Sequence, residues 1–210
     1  MDYNLLKVRF FSSFFIIFSF IIFLTIGNDY LWFLFLVLYL IIIYEIYVNF
    51  NNIKNKFLLY IYIIVSFIFL QFYLFYYFKI IDFIVIILTI SIFDTSSYLI
   101  GSSLGRKKIF SYISPNKTYE GLIGGLICTI IFMIILNYLF INFYIFNFLL
   151  IIFTIIFLSF LGDIIESYYK RLSNIKNSSM LIPGHGGFFD RFDSIILVSY
   201  GIFFYKFLIN

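Results

Sequence analysis

Continuous apolar runs separated by short polar breaks organise the whole sequence. Seven runs stand out, at about residues 10–26, 30–48, 58–78, 80–100, 121–140, 143–165 and 194–209. Each approaches the roughly 20 residues that a helix needs to cross a bilayer. The runs are unbroken rather than alternating, which predicts helices and not the strands of a barrel. Lipid offers no partners to backbone N–H and C=O groups, so each run must satisfy its own. The expected fold class is all-α: a polytopic transmembrane helix bundle of about seven spans, with no separate soluble domain. The division near Lys79 and Asp82 is the least defined, because residues 57–93 admit a different cut. The first run follows Lys7 and Arg9, as a signal peptide would, but no small-residue cleavage site comes after it, so it is expected to be retained.

Composition agrees with this reading. Of 210 residues, 64% are hydrophobic and 11% charged, whereas a soluble domain is about 45–50% apolar and about 25% charged. Such a chain has too few polar groups to cover a fold in water. The single cysteine, Cys128, excludes an intramolecular disulfide and a cysteine-based metal site. Phe occurs 33 times and Tyr 19 times, while Ala is absent. Codons for Phe, Ile, Tyr, Asn and Lys are AT-rich and those for Ala are GC-rich, so the aromatic excess reads as mutational bias. The scarce residues, Gly, Pro, His, Asp and Arg, therefore carry more information than another Phe.

Charge adds orientation to the span count. With seven spans, every basic residue except Lys79 and Lys206 falls on one side. By the positive-inside rule that side is cytoplasmic, with the N-terminus inside and the C-terminus outside. The two longest polar breaks, about 101–120 and 166–193, lie on this side and hold both prolines and the only His. Two regions follow: residues 1–92, N-terminal helices without a recognisable motif, and 93–210, a transmembrane region with cytoplasmic motif loops, where any catalytic function is expected.

Four polar clusters occupy the second region. In the first, Asp94, Ser97, Tyr98 and Gly101 share a helical face that ends at Gly105-Arg106-Lys107-Lys108. Asp94 is either shallow and solvated, with Gly101 and Gly105 as a packing pair, or part of a functional stripe. In the second, Ser114 before Pro115 reads as an N-cap with proline at the first helical position. Lys117 then sits by a helix start that favours an anion. With Arg106, Lys107 and Lys108 this is a phosphate-binding patch or a set of stop-transfer charges on anionic headgroups. Gly121 and Gly125 suit close helix packing.

The third cluster places Asp163, Glu166 and Lys170 on one helical face. A salt-bridge ladder explains Glu166 with Lys170 but explains the deeper Asp163 poorly. The fourth, Pro183-Gly184-His185-Gly186-Gly187-Phe188-Phe189-Asp190-Arg191-Phe192-Asp193, leads into the last run. Asp190 and Asp193 lie one turn apart, so both carboxylates can face one divalent cation. Such oxygen ligands suit Mg²⁺ together with substrate phosphates, and the glycines let backbone N–H groups approach a ligand. His185 has no apolar face to fill. Acids for a metal, bases for phosphates and a membrane location point to Mg²⁺-dependent chemistry on phosphates at the cytoplasmic surface.

These residues resemble the phosphatidate cytidylyltransferase (CDP-diacylglycerol synthase) family. Its signature, Ser-x-x-Lys-Arg-x4-Lys-Asp followed by Pro-Gly-His-Gly-Gly-x-x-Asp-Arg-x-Asp, is matched by Ser167, Lys170, Arg171, Lys176, Pro183 to Gly187, Asp190, Arg191 and Asp193. Gly162, Asp163, Glu166, Asp94, Tyr98, Gly101, Gly105 and the segment Ser114 to Gly121 match as well, so the likeness covers roughly residues 93–194. Asn177 stands at the signature's Asp and Ser179 where Gly is common; the loss of a charge at Asn177 is expected to weaken metal binding or turnover. The chain is shorter than most members, which implies fewer crossings than the family norm.

The resemblance implies transfer of CMP from CTP to phosphatidate, giving CDP-diacylglycerol, a phospholipid precursor, and pyrophosphate. Asp163, Asp190 and Asp193 would hold Mg²⁺ and act in catalysis with Lys170, Arg171 and His185. Arg106, Ser114, Lys117, Thr118, Lys176, Gly186, Gly187 and Arg191 would bind substrate. The lipid is expected to enter sideways from the membrane, with no nucleic-acid partner. A homodimer is implied by the family only, and the location is the inner membrane with the site facing the cytoplasm. The rival readings are a CTP-dependent lipid-alcohol (polyprenol) kinase and a degenerate, non-catalytic membrane scaffold or transporter.

Overall fold

A computed structural model describes residues 18, 30–50, 53 and 56–209, with Leu208 and Ile209 as backbone only. The run at 10–26, apart from Phe18, and Lys7, Arg9 and Lys54 lie outside the described residues. Six long helices follow in order: α1 (Leu31–Asn49), α2 (Lys56–Phe72, extended by a π-helical turn Tyr73–Tyr77), α3 (Ile80–Leu104), α4 (Tyr119–Leu136, extended through Asn137–Ile141), α5 (Ile145–Leu172) and α6 (Phe189–Ile209). A small antiparallel hairpin, β1 (Lys108–Phe110) and β2 (Ser114–Thr118), interrupts the helices between α3 and α4.

Seven spans were expected, of which the first lies outside the described residues. Among the described residues, five helices, α1 to α5, are long and apolar enough to cross a membrane. Helix α6 completes the bundle but opens on Asp190, Arg191 and Asp193 and carries Lys206 in its last turn. The uncertain division near Lys79 is real: Lys79 is extended, α3 starts at Ile80, and Asp82 lies in its first turn.

Helix α3 packs along α4, and α5 along α6, with α2 against the other side of α6. Between lipid-solvated helices, close fit rather than hydrophobic burial drives association. Small residues supply that fit on α3 and α4: a Cβ on Gly121 would meet the Ser97 carbonyl at 2.7 Å, and one on Gly125 would meet Ser97 Cβ at 2.7 Å. The packing role expected of Gly121 and Gly125 is thus observed. Elsewhere directed polar contacts join helices: Tyr39 Oη and Ser66 Oγ share a hydrogen bond of 2.6 Å, and Ser66 Oγ donates to the Ile196 carbonyl at 2.9 Å. These tie α1 and α2 to α6.

Connections alternate sharply in length. Phe78–Lys79 and Asn142–Tyr144 close one end of the bundle, whereas 105–118 and 173–188 sit at the other. The long connections share an end with Lys56, Arg106, Lys107, Lys108, Lys117, Lys170, Arg171, Lys176 and Arg191. Lys79 and Lys206 are at the opposite end, as the charge sorting predicted.

Candidate active site

The glycine-rich loop ahead of α6 is shaped by its own sequence. Pro183 and Gly184 occupy the centre of a turn closed by His185 N–H donating to the Ile182 carbonyl at 3.0 Å. Gly184 has φ 76°, the conformation that the third position of a type II turn demands, with proline before it. Gly186 has φ 88°, and a Cβ there would collide with Asp190 Oδ2. Arg191 reaches back from α6 and donates to the His185 carbonyl from Nη2 at 2.6 Å. Asp190 accepts from Gly187 N at 2.8 Å, from Ser178 N at 3.0 Å and from Lys170 Nζ at 3.1 Å. The loop and the start of α6 are therefore one hydrogen-bonded unit.

The second contributor is the hairpin. Ser114 and Pro115 do not start a helix, contrary to the expectation; they belong to β2, and Thr118 is the cap. Thr118 Oγ1 accepts from Gly121 N at 3.2 Å, and Tyr119 N donates to the Lys107 carbonyl at 3.0 Å. Glu120 accepts from the Arg106 and Lys107 backbone N–H groups at 3.0 and 3.2 Å. Strand pairing and a threonine cap satisfy more donors here than a cap at Ser114 would have done. Lys117, just ahead of α4, projects its ammonium onto Asp163 Oδ2 at 2.5 Å and over the Phe160 ring at 4.7 Å from its centre.

The third contributor is the last third of α5. Gly162 lets α5 approach α6 closely, since a Cβ there would stand 2.6 Å from the Asp193 carbonyl oxygen. That proximity brings Asp163, Glu166 and Asp193 together, with one carboxylate oxygen from each within 4.8 Å of the others. Lys170 Nζ pairs with Glu166 Oε2 at 2.7 Å, one turn away on the helix. The pair is no exposed ladder: Glu166 is only 2% exposed. Glu166 Oε1 is buried and no hydrogen-bond donor reaches it among the described residues. Three converging carboxylates, one of which keeps a buried oxygen without a donor among the described residues, fit a hard divalent cation.

All three contributors line one cavity of about 470 Å³. Of the residues expected at the site, Ser114, Lys117, Thr118, Asp163, Lys170, His185, Asp190, Arg191 and Asp193 are in its wall. Gly186 and Gly187 are not in the wall, although Gly187 N–H donates to the wall residue Asp190. Arg106 and Lys176 are exposed and not in the wall, and Arg171 Nε is engaged with the Ile113 carbonyl at 3.2 Å, bracing the hairpin. Asp94, Tyr98, Glu166 and Asn177 are wall residues too, so the exposed Asp94 faces the cavity. Asp193 and Asp163 group with Glu166, while Asp190 is spent on loop amides and Lys170. Glu45, in the region read as motif-free, binds this loop from α1 through four hydrogen bonds. Its one sequence signal is a carboxylate in an otherwise apolar run.

The sequence profile of the cytidylyltransferase family matches residues 49–209, which includes every wall residue of the cavity. The chain belongs to the cytidylyltransferase family. Curated relatives named phosphatidate cytidylyltransferase include one from Staphylococcus haemolyticus (strain JCSC1435), 44% identical over 107 residues, half of this chain and 41% of the relative. Another from Staphylococcus aureus (strain COL) is 43% identical over the same lengths, so the shared segment spans well under half of each relative. As a cytidylyltransferase-family member with five helices long and apolar enough to cross a bilayer, the chain is a membrane protein.

Proposed function

We propose that the chain is a phosphatidate cytidylyltransferase, joining CMP from CTP to phosphatidate with release of pyrophosphate. The observation that carries this reading is the single cavity in which the carboxylates of Asp163, Glu166 and Asp193 meet the cations of Lys117, Lys170 and Arg191. Phe93, Leu122 and Phe160 continue the same wall as apolar surface, which suits acyl chains beside a phosphate. The family membership and the names of the relatives support a cytidine nucleotide and phosphatidate as the substrates.

Asp163, Glu166 and Asp193 are the residues that would hold Mg²⁺, which supplies neutralisation of the triphosphate and of the leaving pyrophosphate. Lys117 and Lys170, each held against carboxylates, are placed to contact phosphate oxygens and to lower the repulsion between two anionic substrates. An oxygen of the phosphatidate phosphate attacks the α-phosphorus of CTP, and the bond from that phosphorus to the bridging oxygen of pyrophosphate breaks. The attacking oxygen is already ionised, so the chain needs no general base. His185 and its glycines shape the loop beside the nucleotide. The gathering of basic residues at the site's end of the bundle supports a location on the cytoplasmic face of the inner membrane.

Purified protein given CTP, phosphatidate and Mg²⁺ is expected to release pyrophosphate and form CDP-diacylglycerol. Release of CDP with a lipid alcohol in place of phosphatidate, and no pyrophosphate, would instead establish a kinase.

A further inference from the structure

Glu45 belongs to none of the sequence motifs and precedes the segment matched by the family. It lies near the end of α1 and is 1% exposed. Its Oε1 accepts from Ser179 Oγ at 2.7 Å and from Phe188 N at 2.8 Å. Its Oε2 accepts from Ser178 Oγ at 3.1 Å and from Phe189 N at 2.9 Å. Two of these donors are amides at the start of α6, where no intrahelical acceptor exists. A carboxylate also suits the positive end of the helix dipole. Glu45 is thus a helix cap delivered from a different helix.

The contacts continue to the cavity. Ser178 gives its hydroxyl to Glu45 and its N–H to the two oxygens of Asp190 at 3.1 and 3.0 Å. Asn177, the preceding residue, is in the cavity wall, as are Asp190, Arg191 and Asp193. Space for the carboxylate exists because residue 187 is glycine: a Cβ there would collide with Ser178 Oγ and lie 2.6 Å from Glu45 Oε1. Apolar packing is non-directional and defines the sliding and rotation of α6 poorly, whereas four directed hydrogen bonds on one carboxylate fix both.

We propose that Glu45 is a positioning residue for the cavity: by capping α6 and tethering residues 178–179, it sets where Asp190 and Asp193 stand relative to Asp163 and Glu166. It acts through the loop and touches no substrate. This rests on the cytidylyltransferase reading of the cavity.

Glu45→Gln keeps the shape but turns an amide N–H₂ toward two of the four donors. The full-length variant in detergent or bilayers is expected to fold, to lose turnover with CTP and phosphatidate by about 10–100-fold, and to need more Mg²⁺ for half-maximal rate. Amide hydrogen exchange should quicken at Phe188 and Phe189 while amides in α3 and α4 exchange as in the wild type. Joint replacement of Ser178 and Ser179 by Ala removes two donors without a misdirected amide, and carries the same comparison if Glu45→Gln does not fold. Wild-type turnover and Mg²⁺ dependence in either variant, or loss of protection throughout the bundle, overturns the proposal. A wild type inert toward CTP and phosphatidate sinks the cytidylyltransferase reading instead; unchanged exchange at Phe188 and Phe189 then still refutes the tether.

Discussion

Lys117 and Asp163 meet at 2.5 Å, the first from the strand that leads into α4 and the second from α5. The pair joins the hairpin to the carboxylate group, and its two halves have opposite effects on a cation. Asp163→Asn removes one of the three carboxylates proposed to hold Mg²⁺ and is expected to lower turnover about 10²–10³-fold while raising the Mg²⁺ requirement. Lys117→Met also lowers turnover, yet leaves Asp163 without its competing ammonium, so half-saturation should come at lower Mg²⁺. Steady-state rates across a Mg²⁺ series separate the two; parallel shifts in both variants would contradict the assignment.

Glu166→Gln is expected to reduce apparent Mg²⁺ affinity by about tenfold or more, the scale on which even supporting residues of a metal site act. A chelator should abolish the wild-type reaction, and excess Mg²⁺ should restore it. Activity persisting in the chelator would remove the carboxylate cluster from the mechanism.

Gly186→Ala forces a side chain into φ 88° and against Asp190 Oδ2. The expected cost is about 1–3 kcal/mol of stability, with loss of turnover because Asp190 must move. Gly124→Ala is the comparison: the atoms nearest its new Cβ are Ile100 Cδ1 and Cγ2 at 2.7 Å, a side chain that has to shift, but no left-handed backbone is involved. Thermal unfolding in detergent, read beside pyrophosphate release, should rank Gly186→Ala well below Gly124→Ala in both measures.

Asn177 stands in the cavity wall where the family resemblance leads one to expect a carboxylate. Asn177→Asp should raise turnover or Mg²⁺ affinity. An unchanged Mg²⁺ titration would make the asparagine a neutral substitution.

At the far end, Lys206 of α6 pairs with Asp82 of α3 at 2.5 Å, both largely buried. Lys206→Met alone strands the carboxylate and is expected to cost about 3–5 kcal/mol, whereas the double change with Asp82→Leu should recover most of the loss. Turnover per folded molecule should be unaffected in the double variant. A fall in its specific activity would show that the two ends of the bundle are coupled.

The helical bundle, the side on which the charges gather and most of the cavity wall were legible because composition and spacing constrain them locally. Asp163, Lys117, Lys170 and Asp193 sit in short motifs whose contact across the fold a known family signature already implies. The start of α4 was misjudged because Ser114-Pro115 carries a strong local helix-start signal that strand pairing with Lys108–Phe110 overrides. Glu166 read as half of an i, i+4 pair, since sequence spacing shows the neighbour on the helix and not the one on α6. Glu45 was invisible for the same reason: its four partners are more than 130 residues away, a contact that no periodicity encodes.

The alternation of short and long connections has a consequence for access. Among the described residues, one end of the bundle offers only the tight turns at Phe78–Lys79 and Asn142–Tyr144, while the hairpin and the glycine loop crowd the other. At the former end the described connections are two tight turns, with little backbone to grip. Of the described connections, the long ones that a protease or an antibody could grip are on the loop-bearing side, and a compound that reaches the cavity from the opposite side has to pass through the lipid first.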